Sequence, residues 1–251
     1  MTRDYYDRLA PHYRLVYRDW DASVKRQAAA LDGVIRELIG PGAKRVLDAA
    51  CGIGTQSLGL AELGYQVTAS DLSPQAVELA RKEAARRKLR IDFGVADMRR
   101  LSEVHRELFD VVLACDNAIP HLLTDEEILL AFRQFHACAA PGGGCIVSVR
   151  DYSQVEREGK VIHPRTVHET ADGRVVMFDV WEFDGDRYEM TTYVVKDRGG
   201  ATARTRVIRG GQYYCVSLGR LEELLQEAGF RLAGTLRDRF FQPLLVGLRP
   251  G

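Results

Sequence analysis

One stretch of the sequence decides the fold: Val46-Leu47-Asp48-Ala49-Ala50-Cys51-Gly52-Ile53-Gly54-Thr55-Gln56. Its apolar start predicts the end of a buried strand, and the residues after Thr55 predict a helix. Gly52 and Gly54 lie between the two, where the missing Cβ permits a tight turn and a close approach of ligand to backbone. The stretch therefore predicts a strand, a glycine turn and a helix whose first amide groups are free to bind a ligand.

Two acidic residues near this turn indicate the kind of ligand. Asp48 stands before the turn, and Asp71 follows the next predicted strand, over residues 65–70. A dinucleotide fingerprint would need a third glycine where the chain has Ser57. A carboxylate at position 48 would repel a pyrophosphate but could hold an ammonium group, whereas an acid at position 71 is placed to accept hydrogen bonds from ribose hydroxyls. The pair predicts a nucleoside that carries a positively charged amino-acid tail and no phosphate.

The chain around this turn alternates short apolar strands with helices. Strands are predicted over residues 44–49, 65–70, 91–95, 109–115 and 145–149, and helices over 23–39, 55–63, 74–88 and 125–139. A helix over 217–228 and strands over 232–237 and 243–248 follow later. This alternation predicts an α/β fold, a doubly wound, mostly parallel sheet of seven strands of the Rossmann type. Its ligand belongs at the carboxyl ends of the strands.

The pattern changes after Arg150. Residues 175–183 and 188–195 are rich in β-forming residues, residues 204–208 add a further strand, and Asp-Gly and Gly-Gly pairs stand where turns would join them. We interpret residues 152–216 as an inserted antiparallel β lid. The chain would then consist of an N-terminal aromatic arm and helix (1–43), a core (44–151 and 217–251) and this lid.

The motifs resemble those of a known family. The stretch Asp48 to Thr55 resembles motif I of the class I S-adenosylmethionine-dependent methyltransferases, and Ala96-Asp97-Met98 resembles their adenine-recognition corner. The resemblance covers about residues 44 to 149 and implies S-adenosylmethionine as the cofactor. It implies a cofactor-binding set in which Asp48 and Arg26 orient the methionyl end, Asp71 the ribose, and Asp97 and Met98 the adenine, with further contacts from Tyr13, Ala50, Gly52, Gly54, Leu72, Ala96 and Cys115.

The N-terminal arm resembles a cofactor cover. Residues Tyr6 to Tyr13 have the form Y-D-x-L-A-x-x-Y, which in similar methyltransferases folds over the cofactor. Aromatic faces there would also suit a sulfonium cation. The alternative is that these aromatic residues only pack the arm onto the core.

The predicted acceptor site resembles that of glycine and sarcosine N-methyltransferases. Asn117 and His121 match a loop of the form N-x-x-x-H-L, and Arg150 and Tyr152 match an Arg-Asn-Tyr-Asp sequence, with Asp151 in place of Asn. The resemblance implies that these four residues form the catalytic set and that the arginine binds the acceptor's carboxylate, a role that suits the guanidinium fork.

For two of these residues, a purely structural role stays open as an alternative. His121 could merely orient its loop through backbone hydrogen bonds, and Arg150 could form a surface ion pair with Asp151 or Glu156. The predicted function is transfer of a methyl group to the amine of a small amino acid. The alternatives are an O-methyltransferase or another small-molecule methyltransferase, and a non-catalytic cofactor-binding module. A nicotinamide oxidoreductase is disfavoured by Asp48 and by the missing third glycine.

Composition excludes several other classes. Of 251 residues, 35 are Lys or Arg and 35 are Asp or Glu, and this balance argues against a nucleic-acid-binding protein. No run approaches the ~20 apolar residues that cross a membrane, and no secretory signal is evident, so we expect a cytoplasmic protein. A homo-oligomer stays open as an alternative to a monomer. The five cysteines show no C-x-x-C pair. We expect them to be buried, without a metal or disulfide role.

Overall fold

The computed structural model describes residues 2–251, so that Met1, the first residue of the predicted arm, lies outside the described part. In that part the strands are β1 (Arg45–Asp48), β2 (Gln66–Asp71), β3 (Ile91–Val95), β4 (Phe109–Ala114), β5 (Ala139–Ser148), β6 (Lys160–Thr170), β7 (Gly173–Asp184), β8 (Arg187–Asp197), β9 (Ala203–Tyr214), β10 (Arg231–Leu236) and β11 (Leu244–Leu248). The helices are α1 (Thr2–Leu9), α2 (Trp20–Val34), α3 (Thr55–Glu62), α4 (Pro74–Arg86), α5 (Leu101–Val104), α6 (Asp125–Cys138) and α7 (Leu218–Glu227).

The larger sheet has seven strands in the order β10-β11-β5-β4-β1-β2-β3. Strands β1 to β5 are mutually parallel, and β11 runs antiparallel to both β5 and β10. The predicted doubly wound, mostly parallel sheet is confirmed. The chain turns to one side of β1 for β2 and β3 and to the other for β4 and β5. The strand order therefore reverses between β1 and β4, where sheets of this kind bind their ligands.

Helices cover both faces of this sheet because consecutive strand residues point to opposite sides. Val46 belongs to the apolar cluster formed with α2, α3 and α4, and Leu47 to the cluster formed with α6 and α7. Side-chain caps fix where the helices begin. Asp19 accepts a hydrogen bond from the amide of Ala22 at 3.0 Å, and Ser73 caps α4 in the same way. Each such cap stabilises a helix by about 1 kcal/mol. The Asp19 cap starts α2 three residues before the predicted position.

The second sheet is antiparallel, with the order β6-β7-β8-β9. The predicted strands of the insert correspond to β7, β8 and β9, but β6 was missed. Its sequence, Lys-Val-Ile-His-Pro-Arg-Thr-Val-His-Glu-Thr, contains a proline and little apolar alternation, as is usual for an edge strand that pairs on one side only. The buried face of this sheet, including Trp181, Tyr188 and Met190, joins the same apolar cluster as Leu47. The sheet thus packs on the core.

The N-terminal arm connects the two sheets. In α1, Tyr5 Oη lies 2.8 Å from Thr192 Oγ1 on β8, whereas the carboxylate of Asp7 accepts a 2.6 Å hydrogen bond from Ser73 Oγ at the start of α4. The sequence had not predicted a helix here. The contacts place the arm between lid and core, over the carboxyl ends of β1 and β4.

No helix within residues 2–251 is long and apolar enough to cross a membrane. The prediction that all five cysteines are buried is confirmed.

Candidate active site

The floor of a cleft is formed by the glycine turn after β1. Gly52 and Gly54 have φ values of 53° and 92°, in the left-handed region that favours glycine. Asp71, at the end of β2, accepts hydrogen bonds of 2.8 Å from the amides of both Gly52 and Ser73. A carboxylate has about four lone-pair sites. Asp71 can therefore hold the loop in place and still accept hydrogen bonds from a diol.

One wall of the cleft follows β3. Asp97 accepts hydrogen bonds from the backbone and the guanidinium of Arg99, the shortest at 2.6 Å, and Arg99 also bonds Glu127 at 2.5 Å. Burial opposes ionisation of Asp97, but its bonds to Arg99 outweigh burial and lower its pKa. The adenine corner predicted at Asp97 and Met98 is thus a rigid ionic turn beside an apolar side chain.

Aromatic residues of the arm form the roof. Tyr6, Tyr13 and Tyr17 line the cleft, which encloses about 300 Å³. Burial is the main cause that raises the pKa of each of these phenols well above its usual value. All three stay uncharged at neutral pH and act as hydrogen-bond donors. Their faces provide the environment that suits a sulfonium cation.

The structure brings together most of the predicted cofactor residues. Those that line the cleft are Tyr13, Ala50, Gly52, Asp71, Leu72, Ala96, Asp97, Met98 and Cys115. Gly54 belongs to the turn but does not line the cleft. Carboxylates at the ends of β2 and β3, an apolar corner and an aromatic roof are the chemical set that a nucleoside with a sulfonium and an amino-acid tail requires. The residues therefore fit S-adenosylmethionine.

Besides Gly54, two predicted cofactor residues lie outside this lining. Asp48 is 1% exposed and lies beneath the floor, where it accepts a 2.6 Å hydrogen bond from Ser57. Arg26 is on the exposed side of α2 and donates to Ser23 at 3.0 Å. That these two residues orient the methionyl end of the cofactor stays a prediction.

A second cavity of about 270 Å³ adjoins the first beneath the lid. Tyr6, Tyr13 and Asp116 line both cavities. Arg150 and Arg165 supply positive charge to the second one. This arrangement gives the cofactor cleft a neighbouring chamber in which an acceptor can be held.

The loop after β4 has an uncommon backbone. Asp116 and Asn117 have φ values of 57° and 64°, and a residue other than glycine in this region costs about 1–3 kcal/mol. Ser148, at the end of β5, holds the loop: its Oγ accepts from the amide of Asp116 at 2.7 Å, and its carbonyl accepts from the amide of Asn117 at 3.1 Å. Ser148 thus holds the strained backbone of Asp116 and Asn117 at the junction of the two cavities.

Asn117 and Tyr152, both predicted to be catalytic, connect the loops after β4 and β5. Asn117 Oδ1 accepts from the amide of Arg150 at 3.0 Å, and its Nδ2 donates to Tyr152 Oη at 2.8 Å. Asn117 borders the second cavity, whereas Tyr152 is fully buried and lines neither one. The Asn117 side chain thereby fixes the backbone at Arg150. A direct contact of Tyr152 with the acceptor stays a prediction.

His121 lines the cofactor cleft and has both ring nitrogens engaged. Nδ1 lies 2.8 Å from the carbonyl of Gln212, so Nδ1 carries the proton and Nε2 accepts from Tyr6 Oη at 2.6 Å. Burial lowers the pKa of His121 to about 4. The ring is neutral at physiological pH and connects arm, loop and lid. Its bond to Gln212 is of the loop-orienting kind, although the partner belongs to the lid.

Arg150 faces the second cavity, not a surface ion pair. Its guanidinium lies 4.3 Å from the centre of the Trp181 ring and donates to Tyr188 Oη at 3.2 Å. Asp151, the carboxylate that might have paired with it, is bound by Arg237 at 2.5 Å. Among the described residues no carboxylate lies within salt-bridge distance of Arg150. The ion-pair alternative is therefore wrong.

The lid contributes residues that the sequence did not indicate. A register shift between Pro164 and Thr166 makes Arg165 the extra residue of a β-bulge, and such bulges redirect side chains. Arg165 lines the second cavity, where it pairs with buried Asp179. Neither lid position has a local sequence signal, because an edge-strand bulge depends on pairing with β7.

Comparisons with known proteins agree with this geometry. Residues 46–143 match a family model described as a methyltransferase domain. The glycine/sarcosine N-methyltransferase of Parasynechococcus marenigrum (strain WH8102) is 29% identical over 225 residues, 88% of this chain and 73% of that protein. The ubiquinone biosynthesis O-methyltransferase of Xanthomonas axonopodis pv. citri (strain 306) is 33% identical over 142 residues, 53% of this chain and 56% of that protein. Two further glycine/sarcosine N-methyltransferases are covered over only 60% and 52% of their length.

Solved structures agree in fold. The S-adenosylmethionine-bound amino pentose methyltransferase CalS10 of Micromonospora echinaspora has a TM-score of 0.79 at 21% identity, over 95% of both chains. Fold and cleft together define an S-adenosylmethionine-dependent methyltransferase. Residues 46–143 match the methyltransferase-domain model, and the residues of the cleft fit S-adenosylmethionine as the methyl donor.

Proposed function

We propose that the protein transfers a methyl group to the nitrogen of a small amine that also carries a carboxylate. The observation that carries this proposal is Arg150. Its guanidinium borders the second cavity, next to the cofactor cleft, and among the described residues its partners are only a phenol and an indole face. A planar guanidinium that lacks a carboxylate partner suits a bidentate carboxylate ligand.

The relatives support an amine as acceptor. The relative from Parasynechococcus marenigrum is named for glycine and sarcosine, both of which are amines with a carboxylate, and CalS10 is described as an amino pentose methyltransferase. The match to the O-methyltransferase covers 53% of this chain. The cytoplasmic location, a homo-oligomeric assembly and the lack of nucleic-acid and membrane partners belong to the same proposal.

The chain's own residues have a simple task in this reaction. When bound, the cofactor's sulfonium supplies an already activated methyl group. Asp71 and Asp97 would hold the nucleoside, and Arg150 would hold the acceptor's carboxylate. The aromatic arm and the lid exclude water and align the acceptor nitrogen with the methyl carbon, and alignment of this kind accounts for much of the rate in such transfers.

A hydroxyl acceptor is the second candidate. It is favoured by the 2.6 Å contact between Tyr6 and neutral His121, through which a hydroxyl proton could pass. A cofactor-binding module without catalysis is disfavoured by the second chamber, since a sensor needs no acceptor site.

The test is Arg150→Lys, assayed with glycine, sarcosine and carboxylate-free amines. An ammonium cannot reproduce the paired planar donors of a guanidinium. We expect kcat/KM toward the acidic amines to fall at least ~10-fold, or about 1.4 kcal/mol. Turnover of carboxylate-free amines and affinity for S-adenosylmethionine should change little.

Arg174→Lys is the matched control, because Arg174 is an exposed lid residue beside Glu169. It should behave as wild type on every acceptor. Equal turnover of acidic amines by wild type and Arg150→Lys would remove the carboxylate from the proposal and favour the hydroxyl acceptor or a neutral amine.

A further inference from the structure

Asp116, a carboxylate for which the sequence predicts no role, lies at the junction of the two cavities. It follows Cys115 at the end of β4 and lines both the cofactor cleft and the acceptor chamber. In a methyl transfer, the acceptor nitrogen must approach the cofactor's methyl group at such a junction. Asp116 is therefore placed beside the reacting atoms.

The side chain is held in one orientation. Tyr13 and Tyr17 donate hydrogen bonds of 3.2 and 3.0 Å to the same oxygen, Oδ2. The left-handed backbone at Asp116 is kept in place by Ser148. Strained positions that are fixed in this way cluster at functional sites. The strained backbone and the two phenol hydrogen bonds therefore hold the Asp116 carboxylate in one orientation.

The other oxygen, Oδ1, accepts no hydrogen bond from the described residues. Arg165 is a cation in the same chamber, but it is already paired with Asp179. The phenols that touch Asp116 stay protonated, because burial and the carboxylate's charge both raise their pKa values. A negative charge with a free acceptor oxygen is thus available to a positively charged ligand.

We propose that Asp116 binds the acceptor's nitrogen and selects amines over phenolates and other anionic nucleophiles; this rests on the proposed function. The ammonium form of the acceptor binds to Asp116 and loses one proton to water before transfer. The nitrogen lone pair then forms a bond to the methyl carbon, while the carbon–sulfur bond breaks and its electron pair stays on sulfur. The positive charge passes from sulfur to nitrogen, where the adjacent carboxylate stabilises it.

The same charge disfavours other acceptors. A phenolate or carboxylate placed at the junction would face a fixed like charge in a partly desolvated site, and such juxtaposition opposes binding. An acidic amine avoids this conflict, since its carboxylate can lie at Arg150 and its nitrogen at Asp116. The chamber then matches a zwitterion, with one charged end for each group.

The decisive variant is Asp116→Asn. Asparagine has the same shape, tolerates the left-handed backbone and keeps an oxygen for the two phenols, so that only the charge is lost. Calorimetry on the complex with S-adenosylhomocysteine would compare glycine with glycolate, in which a hydroxyl replaces the ammonium. We expect Asp116→Asn to weaken glycine binding about tenfold or more, as for loss of a charge-assisted hydrogen bond. Glycolate and S-adenosylhomocysteine affinities should stay within about threefold.

Arg150→Lys provides the complementary arm, because it should weaken glycine and glycolate alike. Asp186→Asn, in an exposed turn of the lid, controls for loss of a negative charge elsewhere. In turnover, Asp116→Asn should retain more activity than Asp116→Ala toward amines and should not impair any hydroxyl acceptor that is used.

These experiments distinguish the role of Asp116 from the proposed function. Equal glycine binding and equal amine turnover by wild type and Asp116→Asn would overturn the role of Asp116 and leave the proposed function intact. Weaker binding of glycine and glycolate by Arg150→Lys, with no change in Asp116→Asn, would also overturn the role of Asp116 and leave the proposed function intact. Methylation of hydroxyl compounds alone by the wild type would overturn both.

Discussion

Asp48 lies directly beneath the turn on which the cofactor cleft is built. Burial raises the pKa of its carboxyl from 3.8 to about 6, against the opposing effects of hydrogen bonds from Ser57 and Ala50. The folded state therefore binds more protons than the unfolded state between pH 4 and 6. The free energy of unfolding falls as pH rises through this window. Burial of the Asp48 carboxyl beneath the site therefore lowers the free energy of unfolding at neutral pH.

The predicted decrease in the free energy of unfolding with rising pH can be tested with Asp48→Asn. Asparagine cannot ionise, so the variant should lack the part of the pH dependence that Asp48 causes. Between pH 4 and pH 7, urea denaturation should show wild type losing about 2–3 kcal/mol more than the variant, from a shift of about two pKa units. Comparing the two proteins removes the contributions of all other acids. Parallel stability curves would mean that folding does not raise the pKa of Asp48.

At the level of single residues, the sequence could indicate the positions that depend on local backbone structure. Gly52 and Asp71 could be placed because a strand, a tight turn and a strand end have fixed spacing along the chain. Arg165 could not, because its direction depends on a bulge in a strand pairing. Asp116 stood next to Cys115 in a predicted strand end, but its exposure to both cavities depends on the strained turn.

At the level of elements, the inserted sheet and the arm act together. Tyr5 contacts Thr192 on the lid, and the Tyr6 hydroxyl lies 3.2 Å from that of Tyr213. Tyr6 in turn bonds His121, on the loop after β4. These contacts join three distant parts of the chain around one junction, and closure of the acceptor chamber therefore needs both elements.

The proposed division into core and lid predicts the effect of removing residues 152–216 and joining the ends by a Gly-rich linker. The seven strands of the larger sheet all lie outside this range, so circular dichroism should show a folded α/β core that binds S-adenosylhomocysteine. Thermal stability should drop, because the deletion exposes apolar residues such as Tyr5, which belongs to the same buried cluster as Trp181 of the lid. Acceptor turnover should be lost, since Arg165 and Tyr213 are removed.

Two results would contradict this view. Full turnover by the deletion variant would mean that the insert is not part of the active site. An unfolded product would mean that the division of the chain is wrong and that the lid is a required part of the core.

At the scale of the whole molecule, the parallel core could be predicted because its central strands β1 and β4 are short apolar runs that are buried on both faces. The first edge strand of the lid could not, because pairing on one side demands little of its sequence. The arm's helix was missed for a related reason: eight residues give few turns of periodicity, and its packing depends on the lid. Local pattern determines the core, whereas tertiary contacts determine the acceptor chamber.

The cysteines provide a probe of the whole fold. All five are at most 4% exposed, and burial raises their thiol pKa values, to about 11 for Cys138 and Cys215 and about 12 for Cys145. Relative to an ordinary thiol near pKa 8.5, such a group has on the order of 100-fold less thiolate at neutral pH. We expect no rapid reaction of the native protein with Ellman's reagent and five reactive thiols in denaturant.

Because Cys51 and Cys115 line the cleft, S-adenosylhomocysteine should slow the reaction further, both by covering them and by stabilising the folded state. Fast labelling of the native protein, unaffected by the ligand, would mean that the core opens readily or that the cleft thiols are accessible without unfolding.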